Sequence, residues 1–312
     1  MRVYRLHIRP KGGLADPVRS FAYCLREHVL GVGWQVEPPA GATLTWEQYE
    51  ALAIQEHGSA DLSRVRFLHD HVRPDDLVWT RDMNGRYYLG RVRSPWEYFD
   101  TPDGRDADIA NVVRCEIRPI PHADDVPGKI VACFRPTRAI QSIVDPTVVL
   151  YSQLLWNQLA GEDKYTVELA PHHNLFSYLD AETTEDVIFI YLQLQGWIVV
   201  PNSRKADTMA YEFVAINPAS HERAVVQVKT GNTPLDASLW SSFREKVFLF
   251  QTNGIYRGAS AANVVMIAPD TIEQFMRKNL EVMPRAVQRW IAYARGGTTP
   301  NELLQRTGCA GR

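Results

Sequence analysis

The first half of the chain alternates apolar and polar residues in short runs, a period that is typical of β-strands. Five such runs occupy residues 2–10, 75–82, 85–93, 111–120 and 128–136. Turn signals separate them at Met83–Gly85 and at Pro127–Gly128. The Asn84–Gly85 pair predicts a tight hairpin between the second and third strands.

Two helical patterns interrupt these strands. They cover Pro17–Val29 and Trp46–Glu56, and Thr45 is the expected N-cap of the second helix. Short mixed strands with two early helices predict a small, curved, mixed β-barrel over residues 1–140. Prolines then interrupt residues 141–178, where a helical period over 148–161 predicts a helical linker.

The second half changes to longer apolar elements. The pattern predicts a helix at 183–195, strands at 197–201, 211–216 and 224–229, a helix at 238–251 and a late strand at 263–269. We expect this α/β domain to span 179–295 and a polar tail to follow at 296–312. The whole chain is therefore expected to be an α+β protein of two domains.

Composition narrows the class of protein. The chain has 312 residues, of which 45% are hydrophobic and 22% charged, as in soluble globular proteins. No apolar run is long enough for a membrane span, and the N-terminus lacks a signal-peptide core. The four cysteines lie far apart without a C-x-x-C pair, which argues against zinc or a disulfide framework and favours a reducing cytoplasm. A net charge of −2 means that any contact with nucleic acid must use local patches.

The strand at 224–229 carries the most informative chemistry. Gln227 and Lys229 are two residues apart, so both side chains point to the same side of the strand. The acids Glu185, Asp207 and Glu212 precede them. Carboxylate and amide oxygens are hard ligands that suit Mg²⁺ or Mn²⁺, and a nearby ammonium can position an attacking water. The pattern therefore predicts a metal-dependent phosphodiesterase.

This order of parts resembles the PD-(D/E)XK nuclease superfamily, in its Mrr-like and Holliday-junction-resolvase-like branches. The resemblance covers roughly residues 175–270. It implies an endonuclease in which Glu185 lies on the first helix, Gln227 and Lys229 form the Q-x-K pair, and the metal ligands are Asp207, Glu212 and Gln227. Gln227 departs from the usual acid of the pair, which weakens the metal site.

The acid of the second strand has two candidates. Glu212 stands directly before an apolar run, 15 residues before Gln227, whereas Asp207 is 20 residues before it in a polar stretch. In one regular strand, residues five apart point to opposite sides. If Asp207 lies in a loop, both acids can reach one metal ion.

The first half resembles the PUA-like group, including EVE-type domains, through the segments GVGW (31–34), DDLVW (75–79) and YYLGRV (87–92). Several members of that group hold a flipped-out or modified base between aromatic rings, because a π face stacks on any base. The resemblance implies an aromatic pocket with neighbouring arginines. The candidates are Trp34, Trp79, Trp96, Tyr98, Arg91 and Arg93.

Together these features predict a restriction-type endonuclease that cuts DNA, possibly modified DNA, and by analogy defends against foreign DNA. A homodimer is expected, since nucleases that cut both strands often pair. Two alternatives stay open: a non-catalytic nucleic-acid-binding protein, or an RNA-directed nuclease. Each site residue also has a simpler interpretation, such as a core position for Trp79, a solvent-facing lysine for Lys229 and a first-turn helix acid for Glu185.

Overall fold

The computed structural model describes residues 1–9, 15–39, 42–58, 62–136, 138–167, 174–200 and 210–294. The chain divides into two compact units. Unit 1 comprises Met1–Val126 and Ile130–Val167, and unit 2 comprises Pro127–Lys129 and the chain after Val167. Both units mix helices with mixed β-sheets.

Unit 1 is built on a six-stranded sheet in the order β2-β5-β4-β3-β1-β6. The strands are β1 Val3–Leu6, β2 Val29–Val32, β3 Leu77–Arg81, β4 Tyr87–Tyr98, β5 Asn111–Pro119 and β6 Ile140–Ile143. The helices are α1 Pro17–Glu27, α2 Trp46–His57, α3 Ser63–His71, α4 Pro102–Asp106, α5 Gly128–Cys133, whose first two residues belong to unit 2, and α6 Pro146–Ala160. β1 runs parallel to β3, and the other pairs are antiparallel.

The sheet of unit 1 is buried on both faces. Tyr4 on β1 and Val78 on β3 belong to the main apolar core, which α1, α2 and α3 complete. On the other face, the indole N–H of Trp79 donates to the hydroxyl of Ser152 on α6 at 2.9 Å. Close packing of β2 on β5 requires glycine at position 31, because a Cβ at Gly31 would lie 2.3 Å from the carbonyl oxygen of Asn111.

Three expectations for the first half are corrected. The strands form an open sheet with β2 and β6 at its edges, so the described residues do not close into a barrel. Residues 128–136 were expected to form a strand, but they begin with helix α5. The expected linker at 141–178 instead contributes part of β6 and all of α6 to unit 1. A short apolar run fits a helix and a strand equally well, and its packing partners decide between them.

Unit 2 has a five-stranded sheet in the order β13-β11-β9-β8-β7 and a separate pair, β10 and β12. The strands are β7 Ile198–Val199, β8 Phe213–Ile216, β9 Arg223–Lys229, β10 Leu235–Asp236, β11 Lys246–Gln251, β12 Tyr256–Arg257 and β13 Val264–Ile267. The helices are α7 Ala181–Leu194, α8 Pro269–Lys278 and α9 Arg285–Ala294. β11 is parallel to β9 and β13, whereas β8 is antiparallel to β9 and β7.

The expected helix at 238–251 is wrong. A 3₁₀ turn covers Ala237–Trp240, and Lys246–Gln251 forms the buried strand β11. Its sequence, KVFLFQ, is an apolar and aromatic run that fits a strand buried on both faces. The helix at 183–195 and the strand at 224–229 are confirmed within a few residues. Over the described ranges, no helix is long and apolar enough to cross a membrane.

Candidate functional site: a carboxylate, an amide and a lysine on neighbouring strands

Strand register brings the candidate residues together. β8 pairs with β9 in antiparallel register, with Phe213 opposite Val226. The backbone N–H of Glu212 donates to the carbonyl of Val226 at 2.8 Å, so Glu212 and Phe213 both lie against Val226 at the start of β8. This places the side chain of Glu212 next to Gln227, the residue after Val226 on β9. Glu212 and Gln227 are 15 positions apart in sequence, and the loop and strands of this hairpin lie between them.

Two donors converge on one oxygen of Glu212. Gln227 Nε2 lies 2.7 Å from Glu212 Oε1, and Lys229 Nζ lies 3.8 Å from the same oxygen. Gln227 is only 2% exposed, whereas the Lys229 side chain is 44% exposed. The prediction that positions 227 and 229 share a face is confirmed. The cluster thus has a buried base and an ammonium at its open side.

The amide of Gln227 is fixed by two acceptors. Its Nε2 also donates to the carbonyl of Val228 at 3.0 Å. Both partners are acceptors, so the nitrogen must occupy this position and the amide oxygen points elsewhere. Gln227 therefore acts as a donor to Glu212 in this state.

Of the other two predicted acids, only Glu185 lies within the described residues. Glu185 is half-buried on α7. α7 packs through Phe189 on Phe213, which belongs to the sheet face opposite the one that carries Gln227. Asp207 lies outside the described residues.

Asp180 fixes the beginning of α7. Its carboxylate accepts from the backbone N–H of Thr183 at 2.9 Å and of Lys129 at 3.1 Å, and from the Thr183 hydroxyl at 2.7 Å. Burial nevertheless raises the pKa of Asp180 to about 6. The Lys129 ammonium binds Glu182 in the same turn at 3.1 Å. Segment Pro127–Lys129 is thereby attached to the helix that carries Glu185.

The cluster contains the kind of ligand groups that a hard divalent cation prefers. Carboxylate and amide oxygens are the ligands that Mg²⁺ prefers, and Glu212 and Gln227 carry one such group each at neighbouring positions. The match is incomplete, because the described part of the chain contains no group of three His, Cys, Asp or Glu residues that could hold a metal ion. Glu212 and Gln227 provide two oxygen donors only after the Gln227 amide turns its oxygen toward the carboxylate.

Unit 1 contains a cluster of aromatic rings at the start of α2. Trp46 and His69 are stacked, with ring centroids 3.9 Å apart and an interplanar angle of 9°. Trp96 stands edge-on to both, at 5.1 Å from Trp46 and 5.7 Å from His69. Tyr49 closes the group at 5.4 Å from Trp96. We call Trp46, Tyr49, His69 and Trp96 the aromatic cluster.

The buried side chain of Asn111 holds two rings of this cluster by hydrogen bonds. Its Nδ2 donates to the Gly33 carbonyl at 2.5 Å and to the Tyr49 hydroxyl at 2.9 Å, and its Oδ1 accepts from the Trp96 indole at 3.1 Å. The hydroxyl of Tyr49 in turn donates to the carbonyl of Trp34 at 2.9 Å. One buried amide therefore sets the orientation of two rings.

Trp34 lies beside the cluster in an unusual backbone conformation. Its φ of 59° is left-handed, which is rare for a bulky residue and often marks a functional position. The Arg64 guanidinium lies 5.6 Å from its ring centroid, within cation–π range. Trp34 is half-buried, so part of its ring is open to solvent.

The remaining predicted binding residues occupy different surroundings. Trp79 is fully buried against α6, and we interpret it as a core residue. Tyr98 is 8% exposed, and its hydroxyl bonds the backbone N–H and the carbonyl of Val36. Arg91 is 5% exposed and bonds Asp75 at 2.6 Å. Arg93 is exposed and lies 4.0 Å from Glu116.

Sequence reasoning missed Trp46, Tyr49 and His69. The signal was present in part, because the Thr45 capping box with Gln48 fixes where α2 starts and Tyr49 follows Trp46 at helical spacing. Nothing in the sequence indicated that α3 would bring His69 onto Trp46. The chain matches no family model, and no curated protein or solved structure proved similar to it.

Proposed function

We propose that this chain is a metal-dependent endonuclease of restriction type that acts on DNA. The observation that carries the proposal is the convergence of Gln227 and Lys229 on one oxygen of Glu212. The order of elements also supports it: a helix is followed by three antiparallel strands and then a parallel strand. The middle antiparallel strand begins directly after Glu212, and the third carries Q-x-K.

Glu212, Gln227 and Lys229 each have a separate role in phosphodiester hydrolysis. The ammonium of Lys229 is partly exposed and can stabilise the negative charge that grows on the phosphoryl oxygens as water attacks. Glu212 balances that ammonium and can accept the proton of the attacking water. Gln227 holds the carboxylate in place from the buried side.

A divalent cation would be held by Glu212, by Gln227 and by a further acid, for which Asp207 is the candidate. When bound, Mg²⁺ or Mn²⁺ would activate water and neutralise the leaving oxygen. The second candidate function is a non-catalytic nucleic-acid-binding protein. It is favoured by the neutral Gln227, whose amide nitrogen faces the acid where a nuclease usually has a second carboxylate.

The aromatic cluster supports recognition of a base by unit 1. The ring of His69 lies on Trp46 in the geometry of a stacked base, with parallel planes at van der Waals distance. A flipped-out base could replace it there, with Trp96 against its edge and Trp34 and Arg64 nearby. Such a site accepts a planar aromatic group, in keeping with the expectation of modified DNA.

Cleavage assays test the proposal. Supercoiled plasmid, unmodified or carrying modified cytosine or adenine, is incubated with the full-length protein and Mg²⁺ or Mn²⁺, with EDTA as the metal-free control. We expect nicking or linearisation that EDTA and Lys229→Ala both abolish. Binding without cleavage of any DNA or RNA under all these conditions would instead establish the binding protein, whereas cleavage of RNA alone would establish the RNA-directed enzyme.

A further inference from the structure

The loop that follows Lys229 is held by hydrogen bonds from two amide side chains, those of Gln251 and Asn253. The segment Thr230–Pro234, the 230–234 loop, leaves β9 beside the candidate site. Gln251 Nε2 donates to the carbonyls of Gly231 at 2.7 Å and Thr233 at 3.0 Å. Asn253 Nδ2 donates to the Gly231 carbonyl at 2.9 Å and to Asn232 Oδ1 at 3.1 Å.

The residue at the centre of this clamp is itself fixed. Gln251 is fully buried, and its Oε1 accepts from the backbone N–H groups of Asn253 at 2.7 Å and Ile255 at 3.0 Å. Both hydrogens of its amide and both lone pairs of its oxygen are therefore used. It lies opposite Lys229 in the register of β11 and β9. A fully satisfied buried amide of this kind is a rigid support.

The backbone of the loop has hydrogen-bonded groups at Gly231 and Thr233, and it has N–H groups on exposed residues that find no partner among the described residues. Gly231 has a φ of 66°, and a Cβ there would meet open space, so the backbone conformation requires glycine and crowding does not. The N–H of Gly231 donates to the Thr252 hydroxyl at 3.1 Å. Asn232 and Thr233 are exposed residues, and their backbone N–H groups have no acceptor within the described ranges.

We propose that the 230–234 loop binds a phosphate of the nucleic-acid backbone next to the bond that is cut, and that Gln251 and Asn253 are its positioning residues. This inference rests on the proposed function. Backbone N–H groups, asparagine and threonine are common phosphate contacts, and they set the register of a protein on its substrate. A loop that is already fixed loses little entropy when it binds. Its attachment to the end of β9 places such a phosphate beside Lys229.

The chain offers a matched control at the other end of the same strands. Asn263 Nδ2 donates to the carbonyls of Phe243 at 2.9 Å and Glu245 at 3.2 Å, just before β11 and β13 begin. Asn263→Ala removes these two hydrogen bonds, whereas Asn253→Ala removes its two to the loop and the one that Asn253 Oδ1 accepts from Asn174 Nδ2 at 3.3 Å. Only Asn253→Ala removes hydrogen bonds to the 230–234 loop.

The experiment measures binding of a short DNA duplex by fluorescence anisotropy in EDTA, where cleavage is blocked. We expect Asn253→Ala to weaken binding about tenfold, as the loss of one or two hydrogen bonds predicts, and Asn263→Ala to change it less than about twofold. Duplexes with one phosphate neutralised as a methylphosphonate then locate the contact. The phosphate that matters for the wild type should matter much less for Asn253→Ala.

A measurement on the wild type covers the case in which a variant fails to fold. Hydrogen exchange of the Asn232 and Thr233 amides should slow when DNA binds. Equal affinities of the two variants, or unchanged exchange in a DNA-bound protein, would overturn the loop contact while Lys229→Ala still reports on the nuclease. A protein that binds neither DNA nor RNA would remove both proposals together.

Discussion

Gln227→Glu is the most discriminating change at the candidate site. The wild-type amide donates to Glu212 at 2.7 Å and to the Val228 carbonyl at 3.0 Å, and it is 2% exposed. The substitution removes both donors and places a second carboxylate against the first. A hydrogen bond to a charged group contributes about 1.5–3 kcal/mol and one to a neutral group about 0.5–1.5 kcal/mol. We expect the free energy of unfolding to fall by about 2–4 kcal/mol at neutral pH without metal.

The loss of folding stability in Gln227→Glu should become larger as pH rises. Two adjacent carboxylates cannot both ionise cheaply, so the pKa of the introduced acid rises in the folded protein. Between the unfolded pKa of about 4.3 and the raised folded pKa, the folded state keeps a proton that the unfolded chain has lost, so the variant becomes less stable as pH rises through that range. At mildly acidic pH the protonated acid can donate to Glu212 as the amide did, and the variant should approach the wild type.

Divalent metal should reverse the effect. Two carboxylates in contact suit Mg²⁺ or Mn²⁺, and a ligand that binds only the folded state stabilises it. Urea denaturation at acidic and neutral pH, with and without metal, measures both effects. Gln227→Leu is the control, because it removes the donors without adding charge and should respond to neither pH nor metal. If Gln227→Glu matches the wild type at neutral pH without metal, the contact with Glu212 is wrong. If metal stabilises it no more than Gln227→Leu, the site does not hold a metal ion.

Other predictions concern the lysine, the aromatic cluster and pH. Lys229→Ala should slow cleavage by at least about 100-fold. It should change the free energy of unfolding by less than about 1 kcal/mol, because the side chain is partly exposed. Near-normal cleavage by the variant would show that Lys229 is not part of the site. Trp46→Ala should weaken binding of base-containing ligands by about 1–3 kcal/mol, whereas His69→Ala should leave it equal or tighter, and the opposite order would contradict stacking on Trp46. Burial and the charges of Arg9, Arg5 and Arg81 lower the pKa of His7 to about 4 from 6.5, so the unfolded chain takes up a proton first. Lowering the pH from 6.5 to 4 should destabilise unit 1 by up to about 3 kcal/mol in the wild type but not in His7→Gln. Equal acid sensitivity of the two proteins would show that His7 is not buried as a neutral ring. Because the pKa of Asp180 is raised in the folded protein, this residue should stabilise unit 2 as pH falls from 7 toward 4. Hydrogen exchange measured over this range would contradict the prediction if unit 2 lost protection together with unit 1.

Local sequence patterns determined the elements whose period or chemistry is unambiguous. The Thr45 cap, the hairpin at Asn84–Gly85 and the helix at 183–195 depend on neighbours within a few residues, and the structure has all three. The shared face of Gln227 and Lys229 follows from the two-residue period of a strand alone. By contrast, KVFLFQ and GKIVACF are apolar runs without a decisive period, and packing made one a strand and the other the start of a helix.

Only the tertiary structure decided which residues meet. Glu212 faces Gln227 because of the register of β8 and β9, and His69 stacks on Trp46 because α3 packs beside α2. The sequence likewise suggested Trp79 for a binding pocket, but burial under α6 makes it a core residue. The open sheet in place of a barrel has the same origin, since closure depends on whether the edge strands β2 and β6 pair. The sequence by itself determined the chemical groups and their local geometry, because these depend on near neighbours. Long-range packing determined which of those groups form a site, because residues far apart in sequence make those contacts.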